Sequence, residues 1–263
     1  MSRRDEDLLV EKIAKAVKEH LAKLSASSGG GVDSSSDDEF SPEDVAKKID
    51  HTLLKADASE DELRKLCEEA KKHHFFSVCV NSANVRFVAK ELTGSSVKTC
   101  AVVGFPLGAG TSSAKAYETK EAIKAGADEI DMVMNIGALK SKNYRTVLED
   151  IQEVVSSAGE TPVKVILETG MLNQEEKIIA CSLSKAGGAA FVKTSTGFGP
   201  KGATVEDIVL MRSVVGPNIG VKASGGIRTW DDAVSMLGAG ANRLGCSASV
   251  AIVTRKEPSQ KGY

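Results

Sequence analysis

From about residue 41 the chain alternates between two hydrophobic rhythms. Apolar, β-branched-rich runs of strand length fall near residues 47–52, 75–80, 98–104, 128–134, 163–168, 189–194, 219–224 and 242–246. Between them, apolar residues recur at helical spacing over 59–73, 83–92, 111–125, 143–157, 174–187, 204–215 and 229–239, and an eighth such pattern covers 246–254. Helix-start signals fall at the expected places: Ser41 stands before a proline, Ser59 before EDEL and Thr204 before VEDI. Each hydroxyl is suited to accept from the free amides of a first helical turn. Eight strands alternating with helices in about 210 residues predict an α/β protein, a single closed (β/α)8 TIM barrel. A doubly wound open sheet is the alternative. It would carry a glycine-rich nucleotide turn after its first strand, and IDHTLLKAD has none.

Upstream, residues 5–24 line up Leu8, Leu9, Ile13, Val17 and Leu21 on one helical face, and SASSGGGVDSSSDDEF follows with the composition of a flexible linker. The expected organisation is an N-terminal helical extension with its Ser/Gly/Asp-rich linker over 1–40, then the barrel over 41–263 with a short polar tail. The extension could dock on the barrel, pair with another chain or fray, and the sequence leaves all three open. No apolar run approaches the ~18 residues that span a bilayer. MSRRDEDLLVEK is acidic and lacks a signal-peptide core. A cytoplasmic protein is expected.

Charge and cysteine usage narrow the picture. The 263 residues carry 34 basic and 36 acidic side chains, a net charge of −2, so no global field draws the chain to nucleic acid or a membrane. A local basic cluster could still hold a phosphorylated metabolite. The five cysteines are odd in number and widely spaced, without a CxxC pair, which reads as small buried hydrophobes in a reducing compartment. The four histidines show no metal-ligand spacing, so no catalytic metal is expected.

In such barrels the chemistry stands at the C-terminal ends of strands. The polar residues there are Asp50, Asp131 in EIDMVMN, Lys164 and Glu168 in VKVILE, Lys193 and Lys222. Period-two alternation groups Lys222 with Gly220 and Ser224, leaves Val221 and Ala223 for the helix layer, and points Lys193 opposite to Val192, toward the barrel axis. One lysine beside another in a partly desolvated pocket has its pKa lowered, a recognised way to activate an imine-forming nucleophile. Asp131 would keep the other lysine charged and move protons. The bland alternative is a buried salt-bridge network that only fixes strand packing. SGGIR after strand seven and LGCSAS after strand eight suggest an anion held by backbone N–H groups of Gly225, Gly226, Gly245 and Ser247 at a helix N-terminus. His73 and His74 sit at a helix end, and His51 could face inward or outward. Lys120, Lys124 and Lys140 read as solvated charges, and Trp230 as a packing anchor.

IDHTLLK, SVCVNSANV, VVGFPLGA, EIDMVMNIGAL, VKVILETG, FVKTSTGF, VKASGGIRT and RLGCSAS together resemble the deoxyribose-phosphate aldolase family, class I (Schiff-base) aldolases on a (β/α)8 barrel. The likeness runs in the family's order across roughly residues 45 to 250, and FVKTSTGF is its most specific stretch. It implies that Lys193 forms the Schiff base, that Lys222 tunes it and that Asp131 transfers protons. It maps a phosphate pocket onto Gly197, Gly225, Gly226, Gly245 and Ser247, with Asp50 and Lys164 at further polar positions lining the pocket. Phe198 departs from members that carry lysine there, and Tyr263 matches a C-terminal tyrosine that reaches the site in some members. The implied reaction is reversible cleavage of 2-deoxy-D-ribose 5-phosphate to D-glyceraldehyde 3-phosphate and acetaldehyde, in deoxyribonucleoside catabolism and without a cofactor. Expected partners are those small molecules and a second copy of the chain, a dimer first. Three rivals stand beside this reading: another Schiff-base aldolase, an inactive barrel that binds a sugar phosphate, and an interaction module.

Overall fold

The computed structural model describes Lys15 and residues 40–257. Apart from Lys15 and Phe40, the expected N-terminal helix and linker lie outside the described residues, as does Tyr263. A short helix α1 (Pro42–Ala46) leads in, its start set by Pro42 and by Ser41 Oγ accepting from Asp44 N–H. There follow β1 (Ile49–Leu53), α2 (Glu60–His73), β2 (Ser77–Asn81), α3 (Val85–Glu91), β3 (Lys98–Val103), α4 (Ser112–Lys124) and β4 (Glu129–Val133). Next come α5 (Ile136–Lys140), α6 (Tyr144–Ala158), β5 (Val163–Ile166), α7 (Gln174–Ala186), β6 (Phe191–Lys193) and α8 (Val205–Val215). The last elements are β7 (Gly220–Ser224), α9 (Trp230–Gly238), β8 (Arg243–Cys246) and α10 (Ser249–Val253). Every strand pairs in parallel with its sequence neighbour, and β8 pairs with β1, so the sheet closes into the expected barrel. No helix among the described residues is long and apolar enough to cross a membrane.

The two sides of the sheet differ in chemistry. Val192, Val221, Ala223 and Leu244 point outward into the apolar layer beneath the helices. Each fully buried Val or Leu in that layer contributes about 1.5–3 kcal/mol. The alternate residues point inward, and there the register makes direct neighbours of Asp131 and Lys164, of Lys193 and Lys222, and of Cys79 and Cys100. His51 takes the outward side: its Nδ1 lies 2.8 Å from Ser249 Oγ and its Nε2 2.9 Å from Glu69 Oε2. His74 closes α2 in the left-handed conformation (φ 54°), and Trp230 is buried with the Arg255 guanidinium 4.2 Å above its ring.

Two local features depart from the hydrophobic pattern. The five-residue helix α5 is too short to show a period, and only its Asn135 cap, accepting from Ala138 N–H, marks it. β5 ends at Ile166 rather than 168, because Glu168 adopts a left-handed backbone (φ 56°) that no strand accommodates.

Candidate active site

Asp131 on β4 is the hub of the barrel interior. Its Oδ2 accepts from Lys193 Nζ and from Lys222 Nζ, both at 2.8 Å, and its Oδ1 accepts from Lys164 Nζ at 3.0 Å. The Cys100 thiol donates to the same Oδ1 at 3.2 Å. Lys222 also pairs with Asp50, and Lys164 with Glu129 at 2.7 Å. Arg243 bridges Asp50 Oδ1 (2.9 Å) and Glu129 Oε2 (3.0 Å) while stacking over Phe76. Asp50, Glu129 and Asp131 thus form one network with Lys164, Lys193, Lys222 and Arg243 in the barrel interior.

Burial alone would raise the Asp131 carboxyl, but Lys164, Lys193 and Lys222 outweigh it and hold the group well below the carboxylate range. Asp50 is likewise lowered, burial being overcome by Lys222, Arg243 and Lys164. Burial works against the Lys222 ammonium, yet Asp131 and Asp50 raise its pKa well above the lysine norm, so Lys222 stays charged at neutral pH. A depressed carboxyl contributes stability that is present above its unfolded pKa of about 3.9 and is lost as pH falls toward the folded value. Below about pH 4 the urea midpoint is therefore expected to drop less steeply in Asp50→Asn than in the parent chain. Parallel slopes in urea titrations from pH 6 to pH 3 would contradict the linkage.

Above this network a cleft is bounded by the loops after β6, β7 and β8. Lys193 forms part of its wall, as do Gly197, Gly225, Gly226, Gly245 and Ser247. Lys193 is the only member of the Asp131 lysine set that reaches it; Lys164 and Lys222 are fully buried below. Gly225 and Gly226 have successive positive φ (84° and 80°), a concave backbone open to few residues but glycine. The N–H groups of Gly197, Gly225, Gly226 and Ser247 make no hydrogen bond within the described residues.

Several placements differ from the sequence-based expectations. Asp50 and Lys164, expected along the pocket wall, are fully buried and do not line the cleft, because their charges are turned inward onto Lys222 and Asp131. The helix after β7 is not an open anion site, since Thr229 and Asp232 cap its first turn reciprocally. Glu129, Arg243 and Cys100 had no signal beyond strand parity. Arg228 and Thr196 also line the cleft. The sulfurs of Cys79 and Cys100 and a carboxylate oxygen of Asp131 lie within 4.8 Å of one another, a spacing a metal ion could bridge. The Lys164 and Lys222 ammonium groups already flank Asp131, and their charge opposes a further cation there.

The model of the family described as DeoC/LacD family aldolase matches residues 45–253. The deoxyribose-phosphate aldolase of Streptococcus sanguinis (strain SK36) is 59% identical over 213 residues, which cover 81% of this chain and 97% of that protein. The deoxyribose-phosphate aldolase of Clostridium novyi (strain NT) is 56% identical over 218 residues, 82% of this chain and 98% of that protein. The tetrameric structure of deoxyribose phosphate aldolase from Aeropyrum pernix matches with a TM-score of 0.77 at 32% identity, covering 97% of each chain. With a closed barrel, a lysine at the cleft and matches of this extent, the chain belongs to the DeoC/LacD family of aldolases.

Proposed function

We propose that the chain cleaves 2-deoxy-D-ribose 5-phosphate reversibly to D-glyceraldehyde 3-phosphate and acetaldehyde, through a Schiff base on Lys193. The observation that carries this reading is the position of Lys193, the one lysine of the Asp131 set on the cleft wall, facing a cradle of unbonded glycine amides. Lys193 as the free amine adds to C1 of the open-chain aldehyde, and loss of water from the carbinolamine gives the protonated imine. The C2–C3 bond breaks, and its electron pair moves through C1 to the imine nitrogen, forming an enamine. The C3 hydroxyl proton leaves to a base as C3 becomes the aldehyde of D-glyceraldehyde 3-phosphate. Protonation of the enamine at C2 and hydrolysis of the imine release acetaldehyde and restore the amine.

Asp131, a carboxylate 2.8 Å from Lys193 Nζ, is the group we assign to moving these protons. Lys222 supplies a fixed positive charge beside it. The amides of Gly197, Gly225, Gly226 and Ser247, with Gly245 on the adjoining wall, form the phosphate subsite. Asp50 and Lys164 orient Lys222 and Asp131 from below. The five free, buried thiols support a reducing, cytoplasmic setting.

Borohydride reduction in the presence of acetaldehyde is expected to leave one ethyl group on Lys193, located by peptide mass mapping. An adduct on Lys222 would reverse the two lysine roles. Absence of any adduct, with phosphate binding retained, would turn the reading to a sugar-phosphate-binding barrel. Release of acetaldehyde from 2-deoxy-D-ribose 5-phosphate tests the substrate separately.

A further inference from the structure

Glu168 is a buried carboxylate, 2% exposed, that the mechanism above does not use. Three features make it unusual. Its backbone is left-handed (φ 56°), a strained conformation for a non-glycine residue. Its Oε1 has no hydrogen-bond partner among the described residues, which a side chain serving only to fill space would avoid. Its Oε2 accepts twice from one residue, from Thr196 N–H at 3.2 Å and from Thr196 Oγ1–H at 2.5 Å.

The Thr196 hydroxyl passes this contact onward, because its oxygen accepts from Phe198 N–H at 3.0 Å. Glu168 therefore engages the amides on both sides of Gly197, one directly and one through a hydroxyl. Gly197, with φ 89°, is left between them with no acceptor for its own N–H among the described residues. The carboxyl is also packed against the loop, since a Cβ on Gly199 would lie 2.6 Å from Glu168 Cδ. On the other side, Leu167 N–H donates to Lys193 O and Thr169 N–H to Thr194 O, both at 2.9 Å, so the two neighbours of Glu168 are tied to the segment that carries Lys193.

We propose that Glu168 is a positioning residue that orients the 196–198 amides so that Gly197 N–H serves a phosphate oxygen in the cleft. A bare carboxylate near a phosphate subsite repels the ligand, so its use there requires a gain from holding the loop. The inference rests on the reading of the cleft as a phosphate subsite.

The test compares Glu168→Ala with Glu168→Gln, which keeps an acceptor oxygen of the same reach. In Glu168→Ala, KM for 2-deoxy-D-ribose 5-phosphate is expected to rise about tenfold, with competitive inhibition by inorganic phosphate weakened by a similar factor. For unphosphorylated 2-deoxy-D-ribose, kcat/KM should change less than about twofold, and Glu168→Gln should recover most of the phosphate effect. Equal losses for both substrates, or a fall in kcat with phosphate inhibition intact, would overturn the positioning role. Should Glu168→Ala fail to fold, Thr196→Val removes the relaying hydroxyl alone and is expected to reproduce the rise in KM; an unchanged KM there refutes the relay. Calorimetric titration of inorganic phosphate into the parent chain and the variants reads the same loss without turnover. If the parent chain binds no phosphate, the cleft reading fails; if it binds and Glu168→Ala binds equally well, only the Glu168 proposal fails.

Discussion

Lys193→Ala is expected to abolish turnover, with kcat reduced at least about 10⁴-fold, while the barrel stays folded. The argument is geometric. Lys164 and Lys222 share Asp131 with Lys193, but both are fully buried beneath the cleft, and neither reaches the aldehyde that Lys193 would meet. Removing Lys193 leaves Asp131 with two ammonium partners, so the carboxylate is not stranded. Circular dichroism and phosphate binding should therefore match the parent chain. Borohydride should no longer attach an ethyl group at a unique site. Residual activity within tenfold of the parent, in protein free of contaminating aldolase, would refute the assignment.

Asp131→Asn is expected to harm both activity and stability. Proton transfer by a positioned side chain contributes typically 10²- to 10⁴-fold, and a loss of kcat in that range is expected, about 10²-fold or more. The amide keeps the shape of the carboxylate but not its charge, so the buried Lys164 and Lys222 ammonium groups lose a shared counter-ion and Lys193 loses a strong acceptor. Removing one partner of a buried ion pair costs about 3–5 kcal/mol, which urea unfolding at pH 7 would detect directly. A variant with kcat within threefold of the parent would remove Asp131 from the proton-transfer role. An unchanged urea midpoint would show that water, not the carboxylate, solvates those lysines.

The two effects separate because they depend on different distances. Activity should follow the one contact to Lys193, and stability chiefly the contacts to Lys164 and Lys222. A variant series that holds Asp131 and changes Lys164 should therefore move stability more than rate.

Much of this arrangement was legible in the chain. Strand parity alone puts Lys222 opposite to Val221 and Lys193 opposite to Val192, and the structure buries the valines under helices and the lysines within the barrel. The closed topology followed from the alternation of eight short apolar runs with helical patterns. Depth along a strand was not legible. Asp50 and Lys164 share the inward parity of Lys193, yet both are fully buried and neither lines the cleft, since depth in a barrel depends on strand tilt and stagger as well as on parity. Long-range partners were equally hidden. Cys100 looks like any buried thiol until β3 and β4 pair and bring it to Asp131, 31 positions away. Glu168 resembled a strand residue because the backbone reversal at φ 56° leaves no mark in hydrophobic period.

The pairing of charges inside the barrel sets the reacting lysine apart from the network that holds its partner. Without Lys193, every acid of the network still keeps two cations: Asp50 has Lys222 and Arg243, Glu129 has Lys164 and Arg243, and Asp131 has Lys164 and Lys222. These six groups form a closed ring of alternating sign, and Lys193 joins it through Asp131 alone. A covalent bond formed on Lys193 would therefore leave the ring intact, so the frame that positions Asp131 need not rearrange as substrate arrives and leaves.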